Sequence, residues 1–464
     1  MIPLEFLMLY FRNIFLIFAS FALAAPIFSA EGEPSRAIQA KLDAPTSDPA
    51  TLQQLKQSAE RHDPEALYRL GTIALEGRLV RKDLELAADL IRRAATKGHT
   101  AAQNAYGYLL QNGLGVAKDE AQAASWYEKA ATAGDPEAQN NLGWLYEQGK
   151  GVERKLDQAV VWYTKAAAAG SATAALHLGL LYESGAAAPQ GSVPNRKAAL
   201  DWYAQAAKAG QATAQYKLGK ALYEGAGVAH NPLEGLGLLE QAAAQGHPLA
   251  QQLLAAQLVD DGYKPRNEAE AMRLALAAAQ AGVPAAEHLA ASLLQYGVGT
   301  AKDPAAAMRW YREAATRGDA EAALRLAILL DAGSREPRTA KEAAVSNAKE
   351  AVAWYEKAAN AGRRDADLPL GRMMQAGRGV ERDYPAALQR YRRAAEAGYA
   401  DAFYRIGVLY DEGLGVKSDT RAALDWYAKA ADRGHPDAKA IIDRLMRPSS
   451  RDTDAFGNSK FGKF

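Results

Sequence analysis

The chain has 464 residues, and its 55 lysines and arginines nearly cancel 54 aspartates and glutamates, leaving a formal charge of +1. A surface so balanced lacks the positive field with which nucleic-acid binders capture phosphates, so no nucleic-acid partner is expected. The absence of cysteine excludes disulfides, thiolate metal sites, cysteine nucleophiles and the acylated cysteine of a lipoprotein, and neither a metal nor a cofactor is expected.

From the N-terminus, residues 13–30 carry no charge and include the apolar run 14–23, preceded by Arg12 and overlapping the small-residue sequence Ala22, Leu23, Ala24. This reads as a secretory signal peptide over 1–24, with cleavage after Ala24 or alternatively Ala30, and hence a periplasmic or secreted protein. Glu5 is unusual in a positive leader, and Met8 offers a second start. The competing reading is an uncleaved inner-membrane anchor over 13–30, the one way in which a membrane enters the expectation. A linker and an N-terminal capping helix, placed at residues 51–61, fill 31–62.

The chain then repeats itself ten times over 63–434 with a stride of 36 residues. Taking the glycine of each Leu-Gly pair as an anchor, the units align on Gly71, Gly107, Gly143, Gly179, Gly219, Ala255, Ala291, Ala327, Gly371 and Gly407. Two strides are longer, 40 before Gly219 and 44 before Gly371, and their insertions at 185–194 and 333–346 fall between the two helices of a unit as long loops. In the third unit Ala138, Leu142 and Tyr146 are spaced by four, one face of a first helix. Ala159, Trp162, Tyr163, Ala166, Ala167 and Gly170 follow the three-and-four spacing of a second.

Twelve positions after each anchor, allowing for the insertions, stand Asp83, Asp119, Lys155, Asn195, Asn231, Asn267, Asp303, Asn347, Asp383 and Asp419. All except Lys155 can cap a helix through a side-chain oxygen. Each second helix ends at a glycine suited to a left-handed turn, Gly98 and Gly134 being the first two. An alanine four residues beyond each of these lets neighbouring helices approach closely. Residues 435–447 read as a C-terminal capping helix, and 448–464, rich in serine, aspartate and glycine, as a disordered tail.

Units carrying Leu142, Gly143, Tyr146, Gly149, Lys150, Gly151, Val152, Trp162, Tyr163, Lys165, Ala166 and Ala167 resemble Sel1-like repeats, a branch of the tetratricopeptide superfamily. The fold expected is an all-α, right-handed superhelical solenoid of about ten helix-turn-helix repeats. The resemblance implies a concave groove lined by first helices. Positions minus three, plus one, plus four and plus five from the anchor project away from the core stripe. They hold Tyr68, Asn104, Tyr108, Gln111, Asn140, Trp144, Glu147, Tyr216, Lys220, Tyr223, His288, Gln295, Tyr296, Arg372, Gln375, Tyr404 and Asp411. Aromatic and amide side chains give a recognition surface its contact area and directional bonds. The competing reading packs these aromatics between adjacent first helices. Trp144 lies outside the core template and is expected to stand exposed unless a neighbour covers it.

Other motifs point to structure before chemistry. Gly113 with Gly115, Gly297 with Gly299 and Gly413 with Gly415 recur with the repeat and follow helices, so they read as turns, not phosphate loops. Ser346 and Lys349 spell the Ser-x-x-Lys of penicillin-binding enzymes without its companion motifs, and Asn347 between them is an expected cap. The histidines form no pair at metal-ligand spacing, and His62, His99, His247 and His435 fall at inter-repeat turns, where a surface position is expected. The Trp and Tyr of second helices are expected to pack in the core. Repeat nine is rich in arginine and reads as a solvated charged face, with an acidic protein or anionic polysaccharide as the alternative.

The function these features favour is a non-enzymatic adaptor of the cell envelope that binds a protein segment. A carbohydrate-binding or exopolysaccharide-associated protein is the alternative, and a penicillin-hydrolase type of enzyme a third.

Overall fold

The computed structural model describes residues 49–77, 80–186, 194–260, 267–335 and 341–446. The expected leader and tail, and the centres of both insertions, lie outside the described residues. Among the described residues there are 22 α-helices, one short 3-10 turn at Arg364–Ala366 and no strand. None of these helices is long and apolar enough to cross a membrane. The chain divides into two compact units, the first ending at Leu254 and the second beginning at Ala255. Within each, consecutive helices pack on one another in chain order.

Helix Pro49–Glu60 precedes the first repeat and helix Ala438–Met446 follows the last. Repeat three shows how local chemistry writes the pattern between them. Pro136 opens the first helix, Pro136–Gln148, and Asp135 accepts a hydrogen bond from the Ala138 N–H; Gly149 closes it in the left-handed conformation. The second helix, Leu156–Ala168, begins without a side-chain cap at Lys155, as its ammonium dictates. Eight of the ten expected caps make the bond, from Asp83 to Asp419. The exception beyond Lys155 is Asn347, which sits inside helix Lys341–Asn360. Lysine, glutamate and alanine around it favour helix strongly enough to add turns ahead of the cap, so much of the second insertion is helix where a loop was expected. Every glycine expected to end a second helix has a positive φ, between 80° and 100°.

The core is built from alanines and, in seven of the ten repeats, one tyrosine, with Ile91, Leu239 and Ala275 at that position in repeats one, five and six. The alanine four places beyond each helix-ending glycine is fully buried, Ala102 and Ala438 being the first and last of them. Tyr127, Tyr163, Tyr203, Tyr311, Tyr355, Tyr391 and Tyr427 are the large buried side chains of the second helices. The anchor glycine makes room for them: a Cβ on Gly143 would meet the Tyr163 ring at 2.9 Å. Gly151 serves a different approach. Its φ is +69°, and a Cβ there would strike the carbonyl of Glu120, at the start of the preceding second helix. The paired glycines are therefore turns that lock one repeat onto the last.

The tryptophans depart from the expected core position. Trp126, Trp162, Trp354 and Trp426 are half-buried, and Lys129, Lys165, Lys357 and Lys429 lie over their rings at 3.9 to 4.7 Å. The tyrosine fills the core, and the indole beside it on the helix seals the edge under a lysine stem.

Candidate functional site

The first helices present the candidate surface, and the structure sorts its residues by what they already touch. The plus-four residues are engaged: Gln111, Glu147, Gln295 and Gln375 accept hydrogen bonds of 2.7 to 2.8 Å from the hydroxyls of Tyr127, Tyr163, Tyr311 and Tyr391. Glu183 does the same for Tyr203 at 2.7 Å. Burial pushes each of these phenols above its ordinary pKa, so the hydroxyl stays a neutral donor that needs an acceptor. The plus-four side chain supplies it. The periodic pairing of this position with the second-helix tyrosine is a signal that spacing alone could have given.

The minus-three residues mostly join one repeat to the next. Tyr68 packs against the His99 ring at 4.9 Å, Tyr216 stacks on His247 at 4.8 Å, and Tyr404 stacks on His435 at 4.1 Å. His99 and His247 also accept a hydrogen bond at Nδ1 from the N–H three residues on, capping the first helix of the following repeat. These histidines are helix caps under aromatic rings, not the surface residues expected; of the four at inter-repeat turns, His62 alone is exposed. Burial raises the Tyr68 and Tyr216 phenols to about 12 and lowers His247 from its ordinary value.

Two expected surface residues prove buried. Asn104 is 4% exposed and accepts from Asn141 at 3.0 Å, and His288 is 5% exposed, with Nδ1 2.9 Å from Asp319. In both cases the next first helix closes over a side chain that a single helix would leave open. Although burial opposes its charge, the hydrogen bond from His288 leaves the Asp319 carboxyl below its usual range. Asp411 is half-buried, with its main-chain oxygen taken by Ser418 at 3.1 Å. Lys220 reaches Glu224 at 3.9 Å, and Tyr223 and Tyr296 are half-buried.

What remains open runs along the plus-one positions of the first unit. Tyr108, Trp144 and Leu180 are half-buried side chains packed at their bases on the repeat cores, Trp144 on those to both sides. Trp144 is thus neither free nor covered: Lys150 Nζ lies 4.6 Å from its ring centroid. One turn before it on the same helix, the Asn140 amide oxygen is shielded and has no hydrogen-bond partner among the described residues.

Repeat nine corrects the expectation of a solvated basic face. Asp367 is fully buried; Arg390 donates to its Oδ1 at 3.2 Å, and Arg393 Nε faces Oδ2 at 3.1 Å. Arg363 bonds Asp365 and Glu321, Arg378 pairs with Asp331, and Arg372, the plus-one residue, pairs with Asp401. Depletion of the Trp template here is compensated by a buried ion cluster.

Among the described residues no group of three or more His, Asp or Glu could hold a metal ion. Ser346 and Lys349 lie within helix Lys341–Asn360, both exposed, and neither is drawn into a cluster.

The Sel1 repeat matches this chain ten times, over residues 64–99, 100–135, 136–171, 172–211, 212–247, 248–283, 284–319, 320–362, 370–399 and 400–435. The chain belongs to the Sel1 repeat family. Among solved structures it is similar to a protective antigen present in uropathogenic Escherichia coli strains, described as displaying an SLR fold. The two are 31% identical over 85% of this chain and 91% of that one, with a TM-score of 0.64. A Sel1 repeat protein from Oxalobacter formigenes is 30% identical over 50% of this chain and 93% of its own, with a TM-score of 0.47. No curated protein matches the chain. Sel1 repeat proteins generally mediate protein–protein interaction, and their solenoid is typically a non-enzymatic scaffold.

Proposed function

We propose that this Sel1 repeat protein is a non-enzymatic adaptor of the cell envelope, which holds a segment of a partner protein against its first helices. The observation that carries the reading is the pairing of Asn140 with Trp144, four residues apart on one helix face. A half-buried amide whose oxygen has no donor of its own, beside a half-buried indole, offers a main-chain N–H a hydrogen bond once the amide turns outward, and a side chain an apolar wall. Tyr108 and Leu180 extend that wall to the neighbouring repeats. The uncharged run at 13–30 supports export, and the 31%-identical relative, described as a protective antigen, fits an exported protein.

The test is affinity capture from envelope extracts with the mature protein and a Tyr108→Ala, Trp144→Ala variant shown by circular dichroism to be folded. A protein retained by the parent and lost by the variant supports the reading and names the partner. Equal retention by both removes this face from consideration. Retention of sugars alone would put the carbohydrate alternative ahead.

A further inference from the structure

The second unit holds a cleft of about 610 Å³ where repeats eight, nine and ten meet, and its lining is rich in arginine. Arg335, Arg372, Arg378, Arg382 and Arg405 converge on it together with Gln375, and no carboxylate lines it. Two aspartates hold the guanidiniums in place from behind. Asp331 pairs with both Arg335 and Arg378, and Asp401 with both Arg372 and Arg405. Two negative charges thus position four positive ones. Arg382 is exposed and makes no ion pair among the described residues, so the cleft keeps a surplus of positive charge. Because Gln375 already spends its oxygen on Tyr391, its amide N–H groups are what it has left to offer. Apart from the Tyr384 hydroxyl, which can donate or accept, the polar side chains that line the cleft have donors to offer.

We propose that this cleft binds an acidic segment of a partner protein, a short run of extended chain carrying two or more carboxylates. Guanidinium forks match carboxylates in plane and spacing, and the pairs with Asp331 and Asp401 show the site already built around that chemistry. The cleft is far larger than one small anion needs. Leu414, Ala376 and Tyr384 contribute an apolar share to its walls, suited to the methylenes of glutamate side chains. The near-neutral chain offers no wider field for a nucleic acid. This inference rests on the reading that the partner is a protein, and it assigns the partner a chemistry and a second point of attachment.

The experiment uses the full chain and fluorescein-labelled hexaglutamate, followed by fluorescence anisotropy, with hexaglutamine as the uncharged control. Hexaglutamate is expected to bind, to weaken at least tenfold with Arg382→Glu, and to weaken further as salt rises. Hexaglutamine is expected not to bind. Tyr108→Ala, Trp144→Ala is expected to leave hexaglutamate binding unchanged. No binding, binding indifferent to Arg382→Glu, or a preference for heparin or for phosphoinositide vesicles at equal charge overturns the assignment. Failure here with aromatic-dependent capture intact removes the cleft and leaves the adaptor reading standing. Loss of that capture with hexaglutamate still bound does the reverse.

Discussion

In repeat three the second helix sets Trp162 half-buried at the edge of the core, with Lys165 4.0 Å from its ring. In repeat nine Arg390 stands at the same position and donates to Asp367, a carboxylate with no solvent exposure. The flanking parts are the same in both: Gly143 and Gly371 under Tyr163 and Tyr391, and Glu147 and Gln375 accepting from those hydroxyls. The difference teaches which parts of the repeat are fixed by geometry. The glycine, the tyrosine and its acceptor interlock at van der Waals distance, whereas the tryptophan site tolerates any chemistry that closes the edge without stranding a charge.

Asp367→Ala should break the comparison hardest. It leaves Arg390 and Arg393 without their buried counter-charge, at a cost of roughly 4 kcal/mol. Hydrogen exchange across repeats eight to ten is the suitable readout, because stacked arrays open locally. Adding Arg390→Trp to that variant restores the repeat-three chemistry and should recover part of the loss; no recovery would mean the ion cluster is not a substitute for the indole.

Gly151→Ala comes next, at about 2 to 3 kcal/mol, combining a left-handed alanine with a Cβ pressed on the Glu120 carbonyl. Gly379→Ala, which meets the Ala348 carbonyl in the same way, should cost the same despite the different side chains around it. Gly170→Ala has a similar φ of +93° with nothing within 4 Å, so its smaller loss isolates the strain term, and equal losses at all three would refute the contact.

The smallest effect is on pH dependence. His177, stacked at 4.8 Å on Tyr163, has its pKa lowered by burial. A buried neutral imidazole stabilises fully above the ordinary histidine value of about 6.5 and loses that contribution as pH falls toward the depressed folded value. Asp401, beside Arg372, is buried enough to oppose its charge, yet its guanidinium partners hold its pKa below normal. Its contribution is complete above about 3.8 and fades only below that. Protection factors near repeats three and four, corrected for the slower intrinsic exchange in acid, should therefore fall in mildly acidic buffer before those near repeats nine and ten. The opposite order would show that His177 is not the sensitive group.

Helix positions, their turns and the buried alanines were legible because each depends on spacing within about 36 residues, repeated ten times. Eight cap bonds and all the helix-ending glycines follow from single residues with a narrow set of backbone roles. The surface was less legible, since exposure depends on what the next repeat lays over a side chain. Asn104 and His288 share a helical face with Trp144 in sequence, yet a neighbouring first helix buries them and leaves the indole half open. His99 and His247 look like turn residues until their rings are seen packed on a tyrosine and capping a helix at once. The arginines of repeat nine were visible as a charge run, but their sorting into a buried cluster and a cleft needs contacts across three repeats.

At several joints the cap at the start of a first helix is also a ring or carboxylate seated against the repeat before it, as His99 is on Tyr68 and Asp319 on His288. A copy of 36 residues taken from any phase of such an array carries one complete set of these joints, wherever the cut is made. Unequal recombination between repeats would therefore add or delete whole units without creating a new junction. Among descendants of one ancestral gene, repeat number is expected to drift more readily than the length of the turn that Gly151 occupies.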